Sequence, residues 1–324
     1  MKKYPMLLTP VSKEIIWGGN RLKSEYGKKA PFENIAESWE LTVRDDGMNT
    51  IANGEYSGMP LDEYIGLDKK SILGDNCEKY DRFPLLIKFI DAKDNLSVQV
   101  HPDNEYAIKN EGEFGKTEMW YIMDAEPGSQ LVYGLKNGCS IDAFAAAIRE
   151  DKVEDSLNYV EVKKGDVYFI PAGQVHAIGA GILIAEIQQN SNITYRVYDY
   201  KRRQKDGSLR QLHTQKALDV IKIRSESEID LLRFSSESPK SGEVLCSCDY
   251  FTSTKYVVSP EKALEIISDD NSFQSVLVLD SDSAKLTADT AAISINRGDS
   301  LFIPAGLGKV EISGSAEIIV TYIN

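Results

Sequence analysis

Short apolar runs separated by glycine- and proline-bearing turns dominate this chain. Residues 85–90, 96–100, 119–123, 182–188 and 276–279 are rich in branched and aromatic side chains. Each is too short for an ordinary helix, so each predicts a β-strand. Three stretches depart from that pattern and predict helices: 103–111, 140–150 and 214–223. Ser140 stands before an alanine-rich run, where its hydroxyl suits a helix N-cap. In the last of the three, Leu218, Val220 and Ile221 supply an apolar face.

The turns carry a repeat. Residues 163–173 read Lys-Lys-Gly-Asp-Val-Tyr-Phe-Ile-Pro-Ala-Gly, and residues 296–306 read Asn-Arg-Gly-Asp-Ser-Leu-Phe-Ile-Pro-Ala-Gly. Both predict a turn at Gly-Asp, a short strand ending in Phe-Ile, and a Pro-Ala-Gly turn. The copies lie too far apart for a solenoid period and point to two related β-domains. After the first copy comes Gln-Val-His, with His176; after the second comes Leu-Gly-Lys, with no histidine. The first copy therefore reads as functional and the second as structural. A polar stretch at 225–243 marks the connection, with the boundary placed near residue 240. The expectation is a mainly β chain of two barrel or jelly-roll domains with inserted helices. Residues 1–240 would carry the site and residues 241–324 a degenerate copy.

Composition narrows the function. A chain of 324 residues can bury two cores, and 42% hydrophobic with 27% charged residues suits a globular protein. No apolar run reaches the roughly 20 residues of a membrane helix. The first nine residues lack the apolar core and small-residue cleavage site of a signal peptide, which leads to a cytoplasmic expectation. The net charge of −13 argues against nucleic acid and anionic membranes as partners. It leaves room for a small anionic substrate held by local basic residues. The four cysteines, Cys77, Cys139, Cys246 and Cys248, form no Cys-x-x-Cys pair, so reduced thiols are the default. Cys246 and Cys248 share a strand face if extended, and metal binding there is the minor alternative.

Two of the three histidines sit in patterned contexts. Gly165-x5-Pro171-x-Gly173-x2-His176 resembles the second motif of the cupin barrels. Gln99-Val100-His101 resembles the start of the first cupin motif, with glutamine in the first place. Glu118 follows after an insertion that holds the predicted 103–111 helix. Residues two apart on a strand share a face, so Gln99 and His101 can both point into a barrel. Glu118 and His176 can converge on them from other strands. Two imidazoles and a carboxylate suit zinc, and also iron, manganese or nickel, and leave room for water or substrate. The Gln99 amide oxygen would be a weaker fourth ligand. Lys116 is two residues from Glu118 and can share its pocket. His213 sits at a helix start and reads as a cap-region or surface residue.

The flanking segments narrow the resemblance further. Val98-Gln99-Val100-His101-Pro102-Asp103, Gly115-Lys116-Thr117-Glu118-Met119-Trp120, Pro171 to Ala177 and Asn190 to Asp199 look like type I mannose-6-phosphate isomerases, in the short bacterial form. Ile16-Trp17-Gly18-Gly19 and Ala36-Glu37-Ser38-Trp39-Glu40 also fit. The resemblance implies one zinc ion per chain bound by Gln99, His101, Glu118 and His176, and a catalytic role for Arg196. It implies interconversion of mannose 6-phosphate and fructose 6-phosphate through an enediol, with the metal as Lewis acid. The residues leave the base open among a metal-bound hydroxide, Glu118 and a nearby carboxylate. Arg196 is expected to stabilise the enediolate or hold the phosphate, with Lys116 beside it and Arg202 and Arg203 as further phosphate contacts. One departure stands out: the position after Ser191 is usually aspartate in that family, and here it is Asn192. That departure favours a catalytically altered sugar-phosphate binder as the runner-up. An iron cupin oxygenase is a weaker alternative, which the Lys-Thr-Glu-Met-Trp and Tyr-Arg-Val-Tyr-Asp segments oppose.

Overall fold

The structure is a computed structural model describing residues 1–234, 241–289 and 291–324. It is mainly β, and antiparallel pairing builds its sheets. One five-stranded sheet runs in the order Leu157–Glu161, Gln130–Leu135, His176–Ile178, Val98–Val100, Tyr195–Tyr198. A seven-stranded sheet has at its centre Val167–Ile170, Glu118–Ala125, Ile182–Gln189 and Leu85–Ala92. Leu131, Tyr133 and Ile178 of the first sheet share a core with Trp120, Ile122, Ile184 and Ile90 of the second. The two sheets thus face each other and enclose a barrel interior.

The strands Leu85–Ala92 and Ile182–Gln189 are buried along their whole length. Their lack of alternation reflects cover on both faces. On the outer face, Phe89, Met119, Tyr121 and Ile187 pack against Phe302 and Ile319 of the C-terminal sheet and against Phe251 and Phe273, which immediately precede two of its strands. Each such side chain contributes roughly 1.5–3 kcal/mol on burial. The C-terminal sheet has nine strands. Its two 15-residue strands, Gln274–Ala288 and Gly308–Tyr322, shift register after Val278 and Asp282. Such irregularities bend a sheet, and this one closes over an apolar core of Val276, Val278, Leu286, Val310 and Ile318.

Both copies of the repeat form the expected turn–strand–turn. Their strands are Val167–Ile170 and Ser300–Ile303. Gly165, Gly173, Gly298 and Gly306 all have positive φ. At Gly173 a side chain is excluded twice over: φ is +86°, and a Cβ would sit 2.8 Å from the Val220 carbonyl oxygen.

The first two expected helices form at Asn104–Glu111 and Ile141–Arg149, with Asp103 and Ser140 accepting from backbone N–H groups as caps. The third, Thr214–Val220, is shorter than expected. Ile221 turns extended, and the Lys222 N–H donates to the Gly173 carbonyl at 2.9 Å instead of continuing the helix. The expected boundary near 240 falls at residues 235–240, outside the described residues. One pairing was not visible in the pattern. Met6–Thr9 pairs with Ser300–Ile303, so the N-terminal strand covers what would otherwise be an open edge of the C-terminal sheet.

Candidate metal centre

Register places the candidate residues on one face. Gln99 lies directly opposite His176 on one side and opposite Arg196 on the other. Directly opposed residues of an antiparallel pair point to the same side. His101 follows Gln99 by two positions. Glu118 opens its strand in the facing sheet, between Ile170 and Gln188. The two Nε2 atoms of His101 and His176 lie 3.1 Å apart. Glu118 Oε1 is 3.4 Å from His176 Nε2, and Oε2 is 3.7 Å from His101 Nε2. All three side chains are buried. Among the described residues they are the one group of three or more His, Cys, Asp or Glu with ligand atoms close enough to hold a metal ion.

The hydrogen bonds set the chemistry of each ring. His101 Nδ1 faces the Ile193 carbonyl at 2.8 Å, and His176 Nδ1 faces the Gln174 carbonyl at 2.8 Å. A carbonyl only accepts, so Nδ1 carries the proton in both rings. Burial first, and the Lys116 charge as well, holds His101 well below the usual imidazole range. Burial depresses His176 to about 3. Both rings are therefore neutral near pH 7, with their Nε2 lone pairs aimed at one another. Glu118 Oε1 is buried with no hydrogen-bond donor. The Lys116 ammonium reaches His101 Nε2 and Glu118 Oε2, but the His176 Nε2 lone pair and Glu118 Oε1 still face each other across 3.4 Å, a repulsion that a cation between them would relieve. The donor set fits a divalent metal with affinity for nitrogen and oxygen.

Around this centre lies a buried charge network. Lys116 is buried, with Nζ 2.8 Å from Glu118 Oε2 and 3.3 Å from His101 Nε2. A row across the seven-stranded sheet sets Trp120, Glu186, Lys88 and Trp39 side by side. Lys88 Nζ lies 3.2 Å from Glu186 and 3.5 Å from Glu37. Trp120 Nε1 donates to Glu186 at 3.0 Å. Burial pushes the Glu118 carboxyl up, whereas Lys116 and Lys88 together overcome burial and hold Glu186 down. Lys88 and Glu186 were not singled out from the sequence. The signal was present: each is a charged residue between apolar neighbours, Ile87 and Phe89 around Lys88 and Ala185 and Ile187 around Glu186, and such a residue demands a partner.

The other expected residues fall at the rim. Gln99 is half-buried beside His176. The Arg196 guanidinium donates to Ser97 Oγ at 3.3 Å and to the Gln211 carbonyl at 2.8 Å, and not to His101 or His176. Arg202 and Arg210 both pair with Asp199, while Arg203 lies exposed, donating to Gly207. His213 stands at the N-cap position of Thr214–Val220, as expected, though without a side-chain capping bond; its Nδ1 accepts from the Arg196 N–H at 3.2 Å. Cys246 is buried in the core between the sheets and Cys248 packs against it.

Residues 6–128 match the family model for the phosphomannose isomerase type I catalytic domain. Residues 242–323 match that for the mannose-6-phosphate isomerase cupin domain. The chain is 36% identical over 324 residues to a mannose-6-phosphate isomerase of Bacillus subtilis, spanning 100% of both. It is 35% identical over 320 residues to the mannose-6-phosphate isomerase of Streptococcus mutans, covering 99% of this chain and 98% of that one. The crystal structure of mannose 6-phosphate isomerase from Bacillus subtilis has a similar fold, with a TM-score of 0.88 at 34% identity. That match covers 99% of this chain and 100% of the other.

Proposed function

Since the chain belongs to the type I phosphomannose isomerase family, we propose that it interconverts mannose 6-phosphate and fructose 6-phosphate with one zinc ion. The observation that carries this reading is the convergence of His101, Glu118 and His176, each buried and each offering an unprotonated or orphaned ligand atom. These three would hold the metal, with the Gln99 amide as a weaker fourth contact. Bound there, zinc would supply Lewis acidity toward the sugar carbonyl and hydroxyl oxygens, with no redox chemistry of its own.

The chain's own residues do the rest. In the forward direction the proton on C2 leaves and returns at C1, and a hydroxyl proton passes from O2 to O1, so nothing is oxidised or reduced overall. Lys116, with its ammonium beside Glu118 and His101, is placed to steady the enediolate oxygen and exchange a proton with it. Arg196 sits two strands from His176 on the same face, about 10 Å away at a strand spacing of 4.7–4.9 Å. That separation suits the phosphate on C6 while C1 and C2 lie at the metal. In this reading residues 1–240 form the catalytic unit and residues 241–324 a supporting β-domain. A cytoplasmic setting is supported by four free cysteines, and the charge of −13 disfavours nucleic acid and anionic membranes. No helix among the described residues is long and apolar enough to cross a membrane.

The test is turnover of mannose 6-phosphate by the purified chain, before and after chelation and with zinc added back. Loss on chelation and recovery with zinc are expected. Turnover that persists after complete metal removal would sink the metal mechanism.

A further inference from the structure

Asn192 is unexplained by the catalytic groups, but its surroundings give it a task. Its side-chain amide donates to Asp46 Oδ2 at 3.1 Å. The other oxygen of Asp46 accepts from Arg44 Nε at 2.8 Å. Arg44 in turn donates through Nη1 to Glu113 and to the Asn190 carbonyl. The hairpin Val43–Arg44/Gly47–Met48 therefore grips two loops at once. One is the loop that leads from Glu113 to Lys116 and Glu118. The other is the strap of residues 188–193.

The strap is pinned on either side of Asn192. The Asn190 amide donates to the Val43 and Phe83 carbonyls at 3.2 and 2.9 Å. Gln188 Nε2 donates to the Ser191 carbonyl at 2.6 Å, and the Ile193 N–H reaches Ser191 Oγ at 3.3 Å. The Ile193 carbonyl, one residue past Asn192, is the one that receives the His101 Nδ1–H. A shift of the strap at Asn192 is thus passed to the ring whose Nε2 faces the centre.

We propose that Asn192, Asp46 and Arg44 form a latch that positions His101 through the Ile193 carbonyl, so that Asn192 is a positioning residue and not a missing base. This rests on His101 being a metal ligand. An aspartate at 192 would set a second carboxylate against Asp46 at hydrogen-bond distance. Like charges in that place separate, and the strap moves with them. A neutral donor is what a carboxylate at position 46 requires.

The experiment uses the full chain, freed of metal and titrated with Co(II), whose visible absorption reports binding. Asn192→Asp is expected to weaken Co(II) binding about fivefold, the scale of one ordinary hydrogen bond, since the Asn192–Asp46 contact is solvent-exposed. The kcat at saturating metal should stay within about twofold, a change no larger than surface substitutions commonly give. Adding Asp46→Asn, which restores an amide–carboxylate pair in reversed order, should recover most of the affinity. With three histidines in the chain, imidazole nitrogen spectra also follow the His101 Nδ1–H. Its resonance should shift in Asn192→Asp and return in the double variant. Unchanged affinity in Asn192→Asp, a rise in kcat alone, or additive effects of the two substitutions would each overturn the latch. A parent chain that binds no Co(II) would overturn the metal reading itself, and the latch with it.

Discussion

The two copies of the Gly-Asp…Pro-Ala-Gly unit have matching backbones and opposite interiors. Each has left-handed glycines at the same two places and a four-residue strand between them. Three residues past the second glycine, the first copy carries His176, fully buried beside Glu118. The second carries Lys309 at that place, half-exposed and paired with Glu265. The C-terminal core around it is Val, Ile, Leu and Ala. Among the described residues, the buried charge of that domain, Lys255, pairs with Glu317 and stands outside this core. Desolvating Glu118, Glu186, Lys88 and Lys116 costs several kcal/mol per ion before pairing is counted. A barrel that keeps such groups keeps them for chemistry, and the copy without a ligand set is free to be apolar.

That contrast can be broken at several strengths. Lys116→Met removes the ammonium beside the ligands but none of the ligands. Turnover should fall about a thousandfold, within the usual range for a lost acid–base group, while metal content stays at the parent level. Steady-state rates with metal analysis check both halves. Loss of metal instead would make Lys116 a structural support. Arg196→Ala acts at the rim. It should lower kcat/KM about a hundredfold, the scale of a lost charge-assisted contact to phosphate, again with metal retained. Activity equal to the parent would remove Arg196 from the mechanism.

A smaller effect comes from pH. His176 is neutral in the fold with its pKa depressed to about 3. In the unfolded chain it titrates near 6.5, so below that value the unfolded state takes up a proton that the fold refuses. The stability of metal-free protein should therefore fall as pH drops from 6.5, by about 2 kcal/mol at pH 5 from this residue. Urea unfolding of parent and His176→Gln at both pH values isolates the contribution. Equal pH slopes would contradict it. Lys309→Ala, at the matching place in the other copy, should change stability by less than about 0.5 kcal/mol, as exposed ion pairs usually do. A large loss there would mean that the second copy also depends on a charge.

Spacing made the candidate ligands legible. The gapless motif ending in His176 and the alternation through Gln99 and His101 needed only local geometry. Glycines and caps likewise marked the repeat and two of the three helices. Pairing between distant strands was not legible in the same way. Lys88 and Glu186 meet because two strands nearly a hundred residues apart align in register, and nothing local encodes that alignment. Met6–Thr9 joins the C-terminal sheet for the same kind of reason. The helix at 214–220 stops early because Gly173 competes for its next N–H. Asn192 read as a defect in isolation; Asp46, far away in the chain, gives it a partner.

The central claim is that one copy of the repeat holds a metal and the other does not. Metal analysis of the purified full chain and of His176→Ala tests it most directly. One zinc per chain is expected in the parent and none in the variant, with the fold retained by circular dichroism. Zinc still bound at full stoichiometry in His176→Ala would contradict it.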